Sequence, residues 1–314
     1  MLWRARPRFL VLIVLDEPSR STIETSLDIV EAADSATLAA ALDRDAHEIQ
    51  GVLTNGAVGI DEATMARLPA LRIVCALGVG YENIPLAAAR ERGIVVTNGA
   101  GTNDDCVADH VFALLLAVVR EVPMLDRVTR LGAWRDDLPL QPNFSNKRLG
   151  IVGLGSIGRK VARRASGFEL EVGYHNRNRI ADSAFRYFDS IGGLAAWADY
   201  LVICTPGGAG TRHLVDAAAL LALGPQGYLV NVARGSVVDT AALAKALDDG
   251  TVAGAGLDVY EGEPAPPASL IGSERVVLTP HVGGRSPEAI ANSIGLFVRN
   301  ATLYFGGQPV VTPL

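Results

Sequence analysis

The sequence predicts an α/β chain of two lobes, each built on a parallel sheet with helices on its faces. Three observations predict it. The 314 residues suffice for about two domains at roughly 100–200 residues each. Short apolar runs alternate with amphipathic stretches along most of the chain, the rhythm of βα units. A glycine cluster, Gly153-Leu154-Gly155-Ser156-Ile157-Gly158, stands between an apolar run and a helical one.

In the first 100 residues, runs 9–15, 51–53, 73–76 and 94–96 read as buried strands, with helices near 35–43 and 61–68. Arg4, Arg6 and Arg8 before the first run give it a superficial likeness to a secretion signal. That run stops after seven residues at Asp16-Glu17-Pro18 and lacks a small-residue cleavage site, so a buried strand is the preferred reading. Residues 104–120, DDCVADHVFALLLAVVR, open with acids and are apolar on most sides, as a long helix serving as a spine between lobes should be. A looser stretch, 131–147, holds Gly132, Pro139, Pro142 and an isolated Trp134. A second alternation follows, with strands expected at 149–152, 170–173, 200–203, 228–232, 254–259 and 276–278. Six strands make a complete dinucleotide-binding sheet. The last helix, 287–305, comes after that sheet closes and is expected to return to the first lobe, leaving that lobe discontinuous.

Composition removes several functions. A formal charge of −6 and 6% aromatic residues disfavour nucleic-acid binding, which needs a basic face or stacking platforms. No run reaches the roughly 18 apolar residues of a membrane span. Cys75, Cys106 and Cys204 are odd in number and widely spaced, which suggests neither a disulfide framework nor zinc and fits a cytoplasmic protein. Acids and histidines show no metal-ligand spacing.

The glycine cluster carries the cofactor signal of a Rossmann-type, doubly wound sheet. Its first glycine permits a tight turn, the second lets backbone approach a pyrophosphate, and the third allows close helix–strand packing. About 20 residues on, where an NAD enzyme places an acid on the ribose hydroxyl, the sequence reads Tyr174-His175-Asn176-Arg177-Asn178-Arg179. Two arginines there would pair with a 2′-phosphate, making NADP the preferred cofactor, with NAD or a merely solvated basic turn as the alternatives.

Three further strand ends are polar: Asn231-Val232-Ala233-Arg234-Gly235, Leu257-Asp258-Val259-Tyr260-Glu261-Gly262-Glu263-Pro264 and Leu278-Thr279-Pro280-His281-Val282-Gly283-Gly284. Open α/β sheets bind ligands at that edge. Hydride exchange with a 2-oxo acid needs a guanidinium for the substrate carboxylate (Arg234), an imidazole to move a proton (His281) and a carboxylate to orient the imidazole and favour its charged form (Glu263). Singly each has a bland reading, as an ion pair, a loop charge or a core histidine. At successive strand ends downstream of a dinucleotide motif, the functional reading is stronger. His110, inside the apolar helix, reads as a packed or interface residue.

On these residues the sequence resembles the D-2-hydroxyacid dehydrogenase family, especially its glyoxylate/hydroxypyruvate and hydroxyphenylpyruvate reductases. Gly78-Val79-Gly80-Tyr81-Glu82-Asn83-Ile84, the segment from Thr97 to Asp109, GLGSIG, Cys204-Thr205-Pro206-Gly207-Gly208, Thr211-Arg212-His213-Leu214, NVARG, GLDVYEGEP and LTPHVG stand in the family's order. The resemblance implies a flavodoxin-like substrate domain, 1–98 and 286–314, interrupted by a dinucleotide domain, 99–285. It implies cofactor contacts from Leu154, Gly155, Ser156, Ile157, Asn176, Arg177, Thr205, Pro206, Thr211, Val232, Ala233, Asp258 and Gly283. Substrate would meet Val79 and Gly80 through backbone amides, Leu53 as a pocket wall, Arg234, His281, and Trp134 reaching across a homodimer formed through the cofactor domain. Without the resemblance, Trp134 reads as a packing residue. The Asn176-Arg177 pair resembles that of the NADPH-preferring branch.

Gly283-Gly284-Arg285 departs from the family pattern after His281, and the added cation puts substrate preference in doubt. The expected reaction is NADPH-dependent reduction of glyoxylate, hydroxypyruvate or an arylpyruvate to the D-2-hydroxy acid. The alternatives are an NAD-linked dehydrogenase of the phosphoglycerate type and a dinucleotide-sensing, corepressor-like binding protein.

Overall fold

Every pairing between named strands is parallel, and the strands form two separate sheets. The computed structural model describes residues 6–314, so Arg4 lies outside the described residues. The chain divides into two compact units, Met1–Asn103 with Arg285–Leu314, and Asp104–Gly284.

The first unit opens with β1 (Arg8–Val11), α1 (Glu17–Glu24), β2 (Asp28–Glu31), α2 (Ser35–Asp45), β3 (Ile49–Asn55), α3 (Glu62–Ala66), β4 (Ile73–Leu77), α4 (Leu86–Glu91) and β5 (Val95–Thr97). The strand order β2-β1-β3-β4-β5 is the flavodoxin-like one. β1 is shorter than the run 9–15 because Asp16 caps α1, accepting from the Ser19 amide at 2.9 Å, and the chain must turn into that cap. α1 and β2 were not foreseen from the sequence: β2 is an edge strand burying only Val30, so it shows no apolar run.

The second unit contains α5 (Asp104–Val119), α6 (Val122–Arg130), β6 (Arg148–Val152), α7 (Ser156–Ala165), β7 (Glu171–His175), β8 (Arg186–Tyr187), α8 (Ile191–Trp197), β9 (Tyr200–Ile203), α9 (Ala217–Leu223), β10 (Tyr228–Asn231), α10 (Thr240–Asp248), β11 (Gly254–Leu257) and β12 (Val276–Leu278). Its sheet runs β12-β11-β10-β9-β6-β7-β8. That is the doubly wound dinucleotide order with one strand added, and the direction of winding reverses between β6 and β9. It has seven strands where six were expected; β8, two residues long at the edge, is too short for a hydrophobic run. One face is covered by an apolar layer drawn from α5 and α7, the other by one from α8, α9 and α10.

The chain then returns to the first sheet as α11 (Pro287–Phe305), capped by Ser286 and seated through Ile294, Phe297 and Ala301. Phe297 meets Phe9 of β1 edge-on, 5.3 Å between centroids.

Candidate active site

The loop after β6 divides the work among its three glycines. Gly153 has φ +98°, and any Cβ there would lie 2.7 Å from the Thr205 amide nitrogen; Gly158 would bring one to 2.2 Å from the Gly153 carbonyl. Both positions need a bare α-carbon. Gly155 has nothing within 4 Å of where its Cβ would stand, leaving backbone open at the start of α7, where amide groups and the helix dipole favour an anion. The loop is held at 2.9 Å from the Gly153 amide to the His175 carbonyl and at 2.7 Å from the Leu154 amide to Asn176 Oδ1. Ser156 Oγ hydrogen-bonds to Asp104 Oδ2, tying α7 to the first turn of α5.

Beyond β7, Arg177 and Arg179 are exposed, and neither is ion-paired among the described residues. Two uncompensated cations next to an open glycine turn suit the phosphates of a dinucleotide and fit a 2′-phosphate.

Across the winding reversal, the loops after β9, β10, β11 and β12 bring the remaining polar residues to the same edge of the sheet. Asn231 at the end of β10 shapes the Arg234 turn, accepting from the Ala233 amide and donating to the Arg234 carbonyl, both at 3.0 Å. Gly235 admits the next loop: a Cβ there would sit 1.9 Å from the Tyr260 carbonyl carbon. The half-buried Arg234 donates from Nη1 to the Ala233 carbonyl at 2.6 Å.

Glu263 and His281 meet. Nδ1 of His281 lies 2.7 Å from Glu263 Oε2, and Glu263 Oε1 accepts from the Tyr260 amide at 2.9 Å. A carboxylate only accepts, so Nδ1 carries a proton and Nε2 is the ring nitrogen left for exchange. His281 has φ +52°, a left-handed conformation that costs a non-glycine residue on the order of 1–2 kcal/mol and commonly marks a functional position. Its amide is held by the carbonyls of Asp258 and Thr279, at 2.9 and 3.0 Å.

Behind His281 lies Asp258, only 2% exposed. Its carboxylate accepts from Thr279 Oγ1 at 2.6 Å and from the Val282 and Gly283 amides at 2.9 and 2.8 Å, with His110 Nε2 at 3.3 Å. Burial alone would raise its pKa, but donation from His110, Thr279, Gly283 and Val282 outweighs that and holds it at about 2. A second pair, His213 Nε2 to Glu261 Oε1 at 2.9 Å, anchors the same loop from the other side.

The model of the D-isomer specific 2-hydroxyacid dehydrogenase NAD-binding domain matches residues 112–283. The chain belongs to the D-isomer specific 2-hydroxyacid dehydrogenase family. A hydroxyphenylpyruvate reductase of Plectranthus scutellarioides is 40% identical over 270 residues, 86% of either chain. A glyoxylate/hydroxypyruvate reductase of Arabidopsis thaliana is 36% identical over 288 residues, 91% of this chain and 89% of the relative. Among solved structures, the NADPH-dependent glyoxylate/hydroxypyruvate reductase of Sinorhizobium meliloti, in complex with NADP and malonate, superposes with a TM-score of 0.90 at 36% identity, covering 99% of this chain and 97% of that one. As a 2-hydroxyacid dehydrogenase, this chain is an NAD(P)-dependent oxidoreductase.

Of the residues singled out in the sequence, Leu154, Gly155, Ser156, Ile157, Asn176, Arg177, Thr205, Pro206, Thr211, Val232, Ala233, Arg234, Asp258, Glu263, His281 and Gly283 all lie beyond the carboxyl ends of strands of this dehydrogenase's second sheet. Val79 and Gly80 follow β4 in the other unit; no hydrogen bond among the described residues uses their amides. Leu53 differs from expectation: it has no exposed surface and packs among Phe9, Cys75 and Ile294, so its side chain belongs to the core and not to a pocket wall. Trp134 is 66% exposed, which rules out packing within its own chain.

Sequence reasoning missed the partner of His110, whose Nε2 lies 2.9 Å from Thr279 Oγ1. The available signal was an ionisable group on the apolar, sheet-facing side of a helix, where a partner is obligatory.

Proposed function

We propose that this dehydrogenase reduces a small 2-oxo acid, of the glyoxylate, hydroxypyruvate or arylpyruvate class, to the D-2-hydroxy acid, with NADPH as the preferred reductant. The observation that carries the reading is the Glu263–His281 pair, 2.7 Å apart at the edge of the sheet that bears the glycine turn.

The residues present fit a dinucleotide: an open backbone at Gly155, a helix start behind it, and unpaired guanidinia at Arg177 and Arg179. Leu154, Ser156, Ile157 and Asn176 line that turn, and Thr205, Pro206, Thr211, Val232, Ala233, Asp258 and Gly283 continue it along the sheet edge. When bound, NADPH would supply the hydride that reduces the 2-oxo carbonyl. Arg234 holds the substrate carboxylate in a bidentate fork and draws charge toward the carbonyl oxygen. His281 delivers the proton to that oxygen from Nε2, and takes it back in the oxidative direction. Glu263 fixes the ring and its tautomer through Nδ1, leaving Nε2 toward the substrate oxygen. On the discontinuous unit, Val79 and Gly80 carry unengaged backbone amides suited to a carboxylate. Dinucleotide binding is thus assigned to the continuous unit, which also carries Arg234, Glu263 and His281.

We also propose a homodimer formed through the dinucleotide unit. Val122, Leu131, Trp134 and Leu140 are all exposed, and α6 buries none of its residues; an apolar stretch of this kind marks an interface. Three free cysteines support a reducing, cytoplasmic setting.

Replacing His281 by Ala tests the assignment. Turnover should fall on the order of a hundredfold or more while NADPH still binds; near-normal turnover would remove His281 as the proton donor.

A further inference from the structure

The loop that carries His281 is held from within by groups that would not touch substrate. Asp258, on the far side of that loop, captures two successive amides, Val282 on Oδ1 and Gly283 on Oδ2, while its own carbonyl takes the His281 amide. This arrangement grips the chain on both sides of the left-handed residue.

The donor count then fixes the state of His110. Thr279 Oγ1 gives its single proton to the ionised Asp258, leaving only lone pairs toward the neighbouring imidazole. Nε2 of His110 faces that oxygen at 2.9 Å and Asp258 Oδ1 at 3.3 Å, both acceptors. Nε2 therefore bears hydrogen, whatever the state of Nδ1. His110 supplies the fourth donor to a carboxylate that is almost wholly removed from water.

The placement of the ring has its own cause. A Cβ at Gly254 would lie 2.8 Å from Val118, and one at Gly256 would lie 2.9 Å from Leu114. Both glycines let α5 lie close against β11. Four residues back along the helix from Leu114 is His110; two residues forward along the strand from Gly256 is Asp258. Four helical residues rise about 6 Å and two strand residues about 6.6 Å, so this register continues into the hydrogen-bonded pair.

We propose that His110 is a positioning residue for the proton-transfer step: its Nε2–H completes the donor set of Asp258 and thereby keeps His281 in the left-handed conformation in which Nδ1 meets Glu263. The proposal rests on His281 being the acid/base group, and its test separates the two.

In the full-length enzyme, His110→Leu removes the donor, whereas His110→Gln keeps an N–H near the Nε2 position. Two quantities are measured: kcat for 2-oxo acid reduction, and the pH titration of the His281 ring by ¹⁵N NMR, assigned by its loss in His281→Ala. For His110→Leu, kcat should fall between about tenfold and a hundredfold, the scale of a misplacement near 1 Å. The His281 titration should be displaced, and His110→Gln should restore most of both kcat and titration. An unmoved His281 titration in His110→Leu, or a Gln variant as impaired as the Leu variant, overturns the proposal. A displaced titration with unchanged kcat leaves the clamp standing and refutes the acid/base reading of His281. Should His110→Leu not fold, His110→Phe, which fills the space of the ring without a donor, is read against the same criteria.

Discussion

Asp258→Asn isolates the electrostatic part of the clamp behind His281. The carboxylate is buried, and its pKa is depressed from the ordinary 3.8 to about 2. Those nearly two units, at about 1.4 kcal/mol each, are worth about 2 kcal/mol of folding free energy when the group is ionised. Because the folded pKa is the lower one, this contribution is complete above the unfolded value of 3.8 and is lost as pH falls through about 2. By linkage, about 2 kcal/mol remains near pH 5 and about 1 kcal/mol near pH 3.

Asparagine mimics the shape but not the charge, and one of its two positions becomes a donor. If that donor faces Gly283, whose amide lies 2.8 Å from Oδ2, a buried N–H loses its acceptor at a cost of about 1–3 kcal/mol. The variant should therefore be destabilised by about 3–5 kcal/mol near neutrality, and the deficit should shrink by about 1 kcal/mol near pH 3. Urea unfolding of wild type and variant at matched pH, followed by tryptophan fluorescence, measures the difference directly. A deficit that does not change with pH would refute the depressed pKa. A deficit below about 1 kcal/mol at neutrality would refute the view that four donors depend on this carboxylate.

Two further perturbations address the cofactor and the assembly. Arg177→Asp replaces attraction by repulsion toward a 2′-phosphate, and should shift the NADPH/NADH ratio of kcat/KM toward NADH on the order of a hundredfold, with weaker salt dependence of NADPH binding; an unchanged ratio would defeat the 2′-phosphate assignment. Trp134→Ala should weaken the dimer at least tenfold in sedimentation equilibrium, as loss of a large aromatic anchor does, and should impair arylpyruvates more than glyoxylate. An unaltered association constant with equal losses for all substrates would return Trp134 to an incidental surface role.

The sequence yielded the dinucleotide unit more readily than the other, for a physical reason. A central parallel strand is buried on both faces and writes itself as an apolar run, as in 149–152 and 200–203, so the inner strands were legible. Edge strands β2 and β8 bury little and left no run to read. Glycine was informative wherever backbone must touch backbone, as at Gly153 and Gly158. Glu263 and His281 were legible because a charged residue at the end of a buried strand has few structural reasons to be there. Leu53 misled because it was carried over from the family resemblance alone, whereas β3 runs on to Asn55 and is buried on both faces at Val52, Leu53 and Thr54.

The hydrogen bond between His110 and Thr279 lay beyond reach because it joins residues 169 apart in sequence and depends on the register between a helix and a distant strand. Yet the determinants were present in two short segments. In β11 and the residue after it, Gly254, Gly256 and Asp258 alternate on one face; in α5, His110, Leu114 and Val118 stack on one stripe. Two glycines facing two bulky side chains permit close approach in only one alignment, since sliding the helix by a turn would drive Leu114 against the Asp258 carboxylate or leave the His110 ring opposite a bare strand. Packing of the apolar pairs thus selects the polar one. The same glycines that let the helix seat on the sheet therefore set the position of a donor behind the proton-transfer residue, and stability and chemistry in this dehydrogenase share a single register.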